Sequence, residues 1–277
     1  MVLASPGLGD GDSMGVTIPA RASRLLRTEP GGPVHWILKR ICRARFKVLR
    51  ALKAPVVTTE YGVRMAGNWR DGTFKMCVVG SYGTALSDLV TQYATPFSFL
   101  DIGANQGLYS LLAQTNPKCV RVLAFEPVAE TVAFLERNLA LNGADKVQVC
   151  PLAIAAEDGP VEIRKTRNHS GGATLRDGEG SNGGVEVIQC LSHRGLNGMI
   201  PADGSYVVKI DVEGLEEVVL EEIRQCDFFP FVTHLFCEID RRWIDAQAMT
   251  ERLRSLGFTE FRQIGVDPEH YDLLASR

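Results

Sequence analysis

Three short stretches combine residue types that can do chemistry. The first is "FLDIGANQG", residues 99–107, an apolar run with Asp101 near its end and a turn carrying Gly103, Asn105 and Gly107. Glycine lets the backbone approach a ligand closely and adopt positive φ, and asparagine tolerates that region better than most residues. In an α/β sheet, ligands sit beyond the C-terminal ends of the strands, where such a turn would lie. The spacing is not G-x-G-x-x-G, because Asn105 and Leu108 stand where the second and third glycines would be. That weighs against a dinucleotide pyrophosphate. Asp101 weighs the same way, since a carboxylate repels phosphate and suits a ligand with an ammonium group. The plain alternative is a strand–turn–helix connection without a ligand.

The second stretch, "VLAFEP" at residues 122–127, ends an apolar strand in Glu126. An acid at the end of the second strand accepts hydrogen bonds from both ribose hydroxyls; the alternative is an exposed strand-end acid. In the third, "VVKIDVEG" at residues 207–214, Lys209, Asp211 and Glu213 alternate with Ile210 and Val212. In extended geometry all three face one side. Ionisable groups at a strand end are costly unless paired or functional. Asp211 or Glu213 could remove a proton or orient an acceptor. The structural reading is a salt bridge from Lys209 to a carboxylate, with Glu213 capping the next helix. His169 in "RNHSGGATL" and Glu238 in "LFCEID" are candidates for substrate contact, His169 having the alternative of a surface loop residue. No His/Cys/Asp spacing suggests a structural zinc site, and no metal is expected.

These residues need a scaffold. From residue 98 the pattern alternates strand and helix, with strands predicted at 98–102, 120–125, 146–150, 206–210, 232–239, 258–263 and 270–275. Helical patterns fill 107–114, 128–141, 214–224 and 245–256. The alternation implies a mostly parallel sheet with helices on both faces. It is interrupted at 160–200, where "VEIRK" and "VEVIQC" predict an extra strand pair bordering the site. Upstream, residues 56–97 read as a leader of short strands and a helix, with a hairpin turn at Asp71-Gly72 and a helix in "GTALSDLVTQYA".

Charge divides the chain. Residues 1–55 carry ten Lys/Arg against three Asp/Glu, and residues 56–277 carry 20 against 30. Residues 1–33 are rich in small residues and proline and read as unstructured. Residues 36–53 read as an amphipathic helix ended by Pro55. Lys39, Arg40, Arg43, Lys47 and Arg50 share one face, and Ile37, Leu38, Ile41, Val48, Leu49 and Leu52 the other, with Arg45 inside the apolar arc. That helix either covers the body or lies on an anionic membrane surface. Nucleic-acid binding is not expected, because the body is acidic and Trp36 and Phe46 make no stacking platform. The seven scattered cysteines read as buried reduced thiols of a cytosolic protein. No apolar run reaches a membrane span, and no secretory signal is evident. The expected location is cytoplasmic, with peripheral membrane contact through residues 36–53 as the variant.

"FLDIGANQG", "LAFEP", "NLALNG", "PLAIAAEDG" and "VVKIDVEGLEEVVL" occur in this order. Together they resemble the FkbM family of S-adenosylmethionine-dependent methyltransferases, over about residues 60–277. The resemblance implies a class I methyltransferase fold: a Rossmann-like, seven-stranded sheet with helices on both faces and an antiparallel last strand. It implies O-methylation of a hydroxyl on a sugar, glycan intermediate or polyketide-like small molecule. Gly103, Asn105 and Gly107 would surround the methionine part of S-adenosylmethionine, Asp101 would lie near its amino group, and Glu126 would hold its ribose. Ala153 and Asp158 would meet adenine. Asn138 and Asn142 match the family's N-x-x-x-N, with helix-end capping as the alternative. Lys209, Asp211 and Glu213 would form the catalytic end, and His169 and Glu238 would face the acceptor. Cys190-Leu191-Ser192 departs from the family's T-L-D. The rivals are an NAD-dependent oxidoreductase and a non-catalytic protein retaining the fold.

Overall fold

The computed structural model describes residues 32–174 and 184–277. The segment read as unstructured lies outside these residues except at its last two positions, where a helix has already begun.

The central sheet follows from buried, apolar strands. β3 (Phe97–Ile102) is buried at all six positions, as is β10 (Tyr206–Ile210) at all five. Strands covered on both faces read as near-continuous apolar runs and pair in parallel. β3 pairs in parallel with β4 (Cys119–Phe125) and β10, β4 with β5 (Val147–Cys150), and β10 with β11 (Val232–Asp240). β12 (Glu260–Ile264) and β13 (His270–Ser276) complete seven strands in the order β12-β13-β11-β10-β3-β4-β5, with β13 antiparallel to both neighbours. This is the class I methyltransferase topology expected from the motifs.

Successive side chains of β3 point to opposite faces. Leu100 and Ile102 enter a core built with α7 (Glu216–Ile223) and α8 (Ala246–Ser255). Phe97 and Phe99 enter a second core with α4 (Leu108–Thr115) and α5 (Ala129–Asn142). Asp101 shares the face of Phe97 and Phe99, and meets α4 there.

The leader belongs to this second core. α1 (Gly32–Ala51), β1 (Val56–Thr58), β2 (Arg64–Ala66), α2 (Gly72–Val79) and α3 (Ala85–Gln92) contribute Phe46, Val57, Met65, Phe74 and Val90 to it. The hairpin expected at Asp71-Gly72 is instead the start of α2. Asp71 adopts an extended backbone, and its carboxylate accepts from the Phe74 N–H at 2.7 Å, an N-cap that satisfies an orphan helix donor. Phe74, Cys77 and Val78 then bury one helical face.

The extra strand pair at 160–200 is larger than expected. β6 (Ala153–Ile154), β7 (Gly159–Thr166), β8 (His169–Thr174) and β9 (Val185–Leu191) form a sheet in the order β6-β9-β7-β8. α6 (His193–Met199), a short helix absent from the sequence reading, returns the chain to β10. All seven cysteines are buried and free.

Candidate functional site

The turn after β3 is held from every side. Gly103 (φ 78°) packs against the end of β10, where an added Cβ would lie 1.8 Å from the Asp211 carbonyl oxygen. Gly107 (φ 88°) abuts Leu135 of α5, whose Cδ1 would lie 2.4 Å from such a Cβ. Both glycines are therefore fixed by packing within the protein. The turn's N–H groups are all engaged. Those of Gly103 and Ala104 donate to the Phe125 carbonyl, and that of Asn105 to Glu126 Oε2 at 3.0 Å. Those of Gln106 and Gly107 donate to Asn105 Oδ1 and the Ala104 carbonyl. A phosphate binds such turns through free N–H donors, and none remains at residues 103–107.

Glu126, at the end of β4, accepts the Asn105 N–H on one oxygen and the Val128 N–H, at 3.0 Å, on the other. Burial pushes its pKa up to about 7, against the lowering by those two N–H groups and by Lys209. A carboxylate has about four lone-pair sites, so both oxygens can still accept from a ligand.

A clasp formed by the leader closes this region. Asp71 Oδ1 also accepts from Gln106 Nε2 at 2.7 Å, and Oδ2 accepts from the Ser170 N–H at 2.6 Å. Ser170 Oγ is 2.9 Å from Asn105 Oδ1. One carboxylate thus ties α2, the glycine turn and β8 together. The sequence reading missed Asp71, Gln106 and Ser170; the signal for Asp71 was an N-capping aspartate before the apolar run "TFKMCVV".

Asn138 and Asn142 are neither helix caps nor cavity residues. Asn138 Oδ1 accepts from the Ala66 N–H at 2.7 Å, and its Nδ2 donates to the Gln106 carbonyl at 2.8 Å. Asn142 Oδ1 accepts from the Arg64 N–H and its Nδ2 donates to the Arg64 carbonyl. The two amides stitch β2 to α5. Gly143, in the left-handed conformation, ends the helix.

Lys209 lies beside Asp101 in the β10–β3 register, and both are buried. Its ammonium is 3.5 Å from Asp101 Oδ1 and 3.3 Å from Asp211 Oδ2, and donates to the Gly103 carbonyl at 2.8 Å. Burial opposes its charge, but Asp211 and Asp101 more than offset that, and its pKa is raised. Asp101 Oδ2 accepts from Ser110 Oγ of α4 at 2.6 Å. Asp101 is therefore enclosed behind Lys209. Glu213 does not continue the alternation, since β10 ends at Ile210 and Glu213 turns to φ 55°. Neither does it cap the next helix, which has no side-chain cap; Glu216 Oε1 instead holds the turn before it, accepting the N–H groups of Val212 and Gly214.

Two cavities meet here. The smaller, about 330 Å³, is lined by Gly103, Asn105, Glu126, Ala153, His169 and Glu213, over an apolar floor of Phe125, Val128, Leu152 and Ile163. The larger, about 1150 Å³, runs between α3 and the β12–β13 edge and includes Lys209, His234, Glu260 and Asp272. Asp211, Glu238, His270, Met76 and Tyr82 line both. Glu238 Oε1 lies 2.8 Å from His270 Nε2. Burial, then Asp211 and Glu216 among others, raise the Glu213 pKa to about 8; burial and Asp211 raise that of Asp272 to about 7. Burial and the neighbouring carboxylates push Glu238 up as well.

Asp158 is elsewhere. Its carboxylate accepts from the Ser192 N–H at 2.6 Å, before α6, and this hydrogen bond lowers its pKa. It does not line the smaller cavity, unlike Ala153. Among the described residues, no group of His, Cys, Asp and Glu is arranged to hold a metal ion.

Residues 101–260, more than half of the chain, match the family model described as the methyltransferase FkbM domain. The chain is similar to methyltransferase sdnD of Sordaria araneosa, at 31% identity over 129 residues, 46% of this chain and 47% of that protein. It thus spans about half the length of that curated relative. Among solved structures it is similar to a methyltransferase FkbM from Methylobacillus flagellatus, at 17% identity and a TM-score of 0.47, with 93% of this chain and 58% of that one covered. A precorrin-6y C5,15-methyltransferase from Geobacter metallireducens is similar at 15% identity and a TM-score of 0.41, over 72% of this chain and 89% of that one.

Proposed function

The chain belongs to the FkbM methyltransferase family, and from that premise we propose that it methylates a hydroxyl of a sugar, glycan intermediate or polyketide-like small molecule, using S-adenosylmethionine. The observation that carries the donor is the turn itself. With every N–H of residues 103–107 engaged, it offers a ligand acceptor groups, and Glu126 beside it adds a carboxylate. That set fits a cationic, hydroxyl-bearing nucleoside and disfavours the pyrophosphate of NAD. The residues present fit S-adenosylmethionine: Glu126 would accept from the ribose hydroxyls, and Phe125, Leu152 and Ile163, which line the same cavity, would hold the adenine. Asn105 and Gly103 border the methionine part. When bound, the donor supplies a methyl group on a cationic sulfur.

The larger cavity receives the acceptor. Asp211 stands where the two cavities join, and Lys209 holds its carboxylate. It orients the acceptor hydroxyl and takes its proton as the new bond forms. Glu213 lines only the smaller cavity, which favours Asp211 of the two carboxylates. Glu238 and His270 border the acceptor, and His169 borders the donor.

Titration calorimetry with S-adenosylhomocysteine tests the donor reading. Saturable binding by the folded protein supports it. Binding of NAD instead, or of neither compound, removes it.

A further inference from the structure

α1 has three faces, not the two its sequence suggests. Cys42 and Phe46 are buried against the body, with Leu38 and Leu49 half-buried beside them. Arg45, inside the apolar arc, is accommodated because it pairs with Glu60 at 2.9 Å and donates to the Thr58 carbonyl. At about 100° per residue, this docked face takes roughly a third of the circumference. The remainder divides in two. Ile37, Ile41, Val48 and Leu52 form an apolar stripe, exposed by 50%, 44%, 58% and 72%. Arg40, Arg43, Lys47 and Arg50 form a basic stripe along its edge, all exposed. Trp36 is 60% exposed within the basic stripe, with the Arg40 guanidinium 4.7 Å above its ring.

Single exposed apolar side chains are ordinary, but an aligned set beside cations marks a contact surface. We propose that α1 docks the protein on an anionic phospholipid membrane, lying in the plane of the surface. The apolar stripe enters the boundary between headgroups and acyl chains, and the basic stripe meets the lipid phosphates. Charge selects this occupant. Residues 56–277 carry ten more acidic than basic residues, so an anionic surface repels the body and attracts only the arm. A second copy of the chain would bring one basic stripe against another. Among the described residues no helix is long and apolar enough to cross a membrane, so the contact is peripheral.

Vesicle co-sedimentation of the full chain tests it, with no donor or acceptor present, so the outcome is independent of methyl transfer. Vesicles of phosphatidylcholine containing about 30% phosphatidylserine should bind the protein, and pure phosphatidylcholine should not. Binding should weaken as salt is raised. Replacing Arg43 and Lys47 together by Gln should weaken it about 25-fold, at about fivefold per charge. Replacing Ile41 and Val48 together by Ser should weaken it at least tenfold. These side chains are exposed, and the melting temperature should not change; if the apolar pair fails to fold, the charge pair decides. The proposal is overturned by no binding to anionic vesicles, by equal binding to neutral ones, or by binding that survives both pairs. It is also overturned if sedimentation velocity shows a dimer that the apolar pair dissolves while vesicle binding is absent.

Discussion

On the glycine-turn wall of the site, Asp71, Asn105, Ser170 and Glu126 hold one another and the backbone through hydrogen bonds of 2.6–3.0 Å. On the strand-end wall, Asp211, Glu213, Glu238 and Asp272 crowd together, and their mutual repulsion adds to burial in raising three of their pKa values. The first wall is assembled before any ligand arrives. The second brings Glu213 and Asp272 near neutrality through burial and repulsion together, whereas Glu126 on the first is raised chiefly by burial; a carboxylate near neutrality is suited to proton transfer. Gln106 Oε1 is the exception on the first wall, buried without a partner among the described residues. The difference teaches a division of labour: hydrogen bonds fix the shape of the turn wall, and crowded carboxylates make the strand-end wall the one that can move protons.

The comparison breaks most sharply at Asp211. Asp211→Asn should lower kcat by about 10²–10⁴, the usual contribution of a positioned base, on any acceptor the natural protein methylates. Affinity for S-adenosylhomocysteine, measured by calorimetry, should stay within about threefold because the donor wall is untouched. Retained turnover would move the base elsewhere, and a parallel loss of binding would show that the walls are not separable. On the donor wall the effect should be smaller and of the opposite kind. Glu126→Gln should weaken S-adenosylhomocysteine by about tenfold to a hundredfold, the range for one hydrogen bond to a charged group. Circular dichroism must show a native fold, since Glu126 also holds two backbone N–H groups.

Asp71→Ala tests whether the first wall is truly preassembled. It removes an N-cap, worth about 1 kcal/mol, and two further hydrogen bonds to Gln106 and Ser170, each worth about 1 kcal/mol or more. Urea unfolding should show a loss of about 2–3 kcal/mol. Donor affinity should fall too, because β8 is no longer tied to the turn. Unchanged donor affinity in a folded variant would make the clasp purely structural.

The fold was legible because its strands are short apolar runs set between helical patterns, as at 97–102 and 206–210. The glycine turn was legible as a turn, but the reason for its glycines was not. Gly103 answers to the Asp211 carbonyl, more than a hundred residues away. Local spacing carries no record of such a contact. Asp71-Gly72 misled because Asp-Gly serves hairpins and helix starts alike, and only the burial of Phe74 and Cys77 decides between them. Asn138 and Asn142 escaped both readings because their partner is β2, which has only three residues and weak pattern of its own. Ala153 lines the smaller cavity while Asp158, five residues on, is engaged by the Ser192 N–H, a partner that lies 34 residues away and leaves no local mark in the sequence. α1 was read with two faces because burial against the body divides its apolar arc, and sequence periodicity does not see that division.

The smallest expected effect concerns the acidic wall in the absence of ligand. Unfolded, Glu213 and Asp272 titrate at the ordinary carboxylate values, and folded they titrate near 8 and 7. Between those values the folded state binds more protons than the unfolded one, so stability falls as pH rises. The contribution is intact below about pH 4 and is lost progressively up to about pH 8. Carboxylates with lowered values, such as Asp240 beside Arg242, act oppositely and at lower pH. A scan from about pH 6 to about pH 8.5, the window where the raised groups dominate, should therefore show the melting temperature falling by a few degrees. Glu238→Gln removes a third carboxyl group whose pKa is raised by folding and should flatten that slope. A slope of the opposite sign, or one that Glu238→Gln leaves unchanged, would mean the strand-end wall is no more strained than the wall across from it.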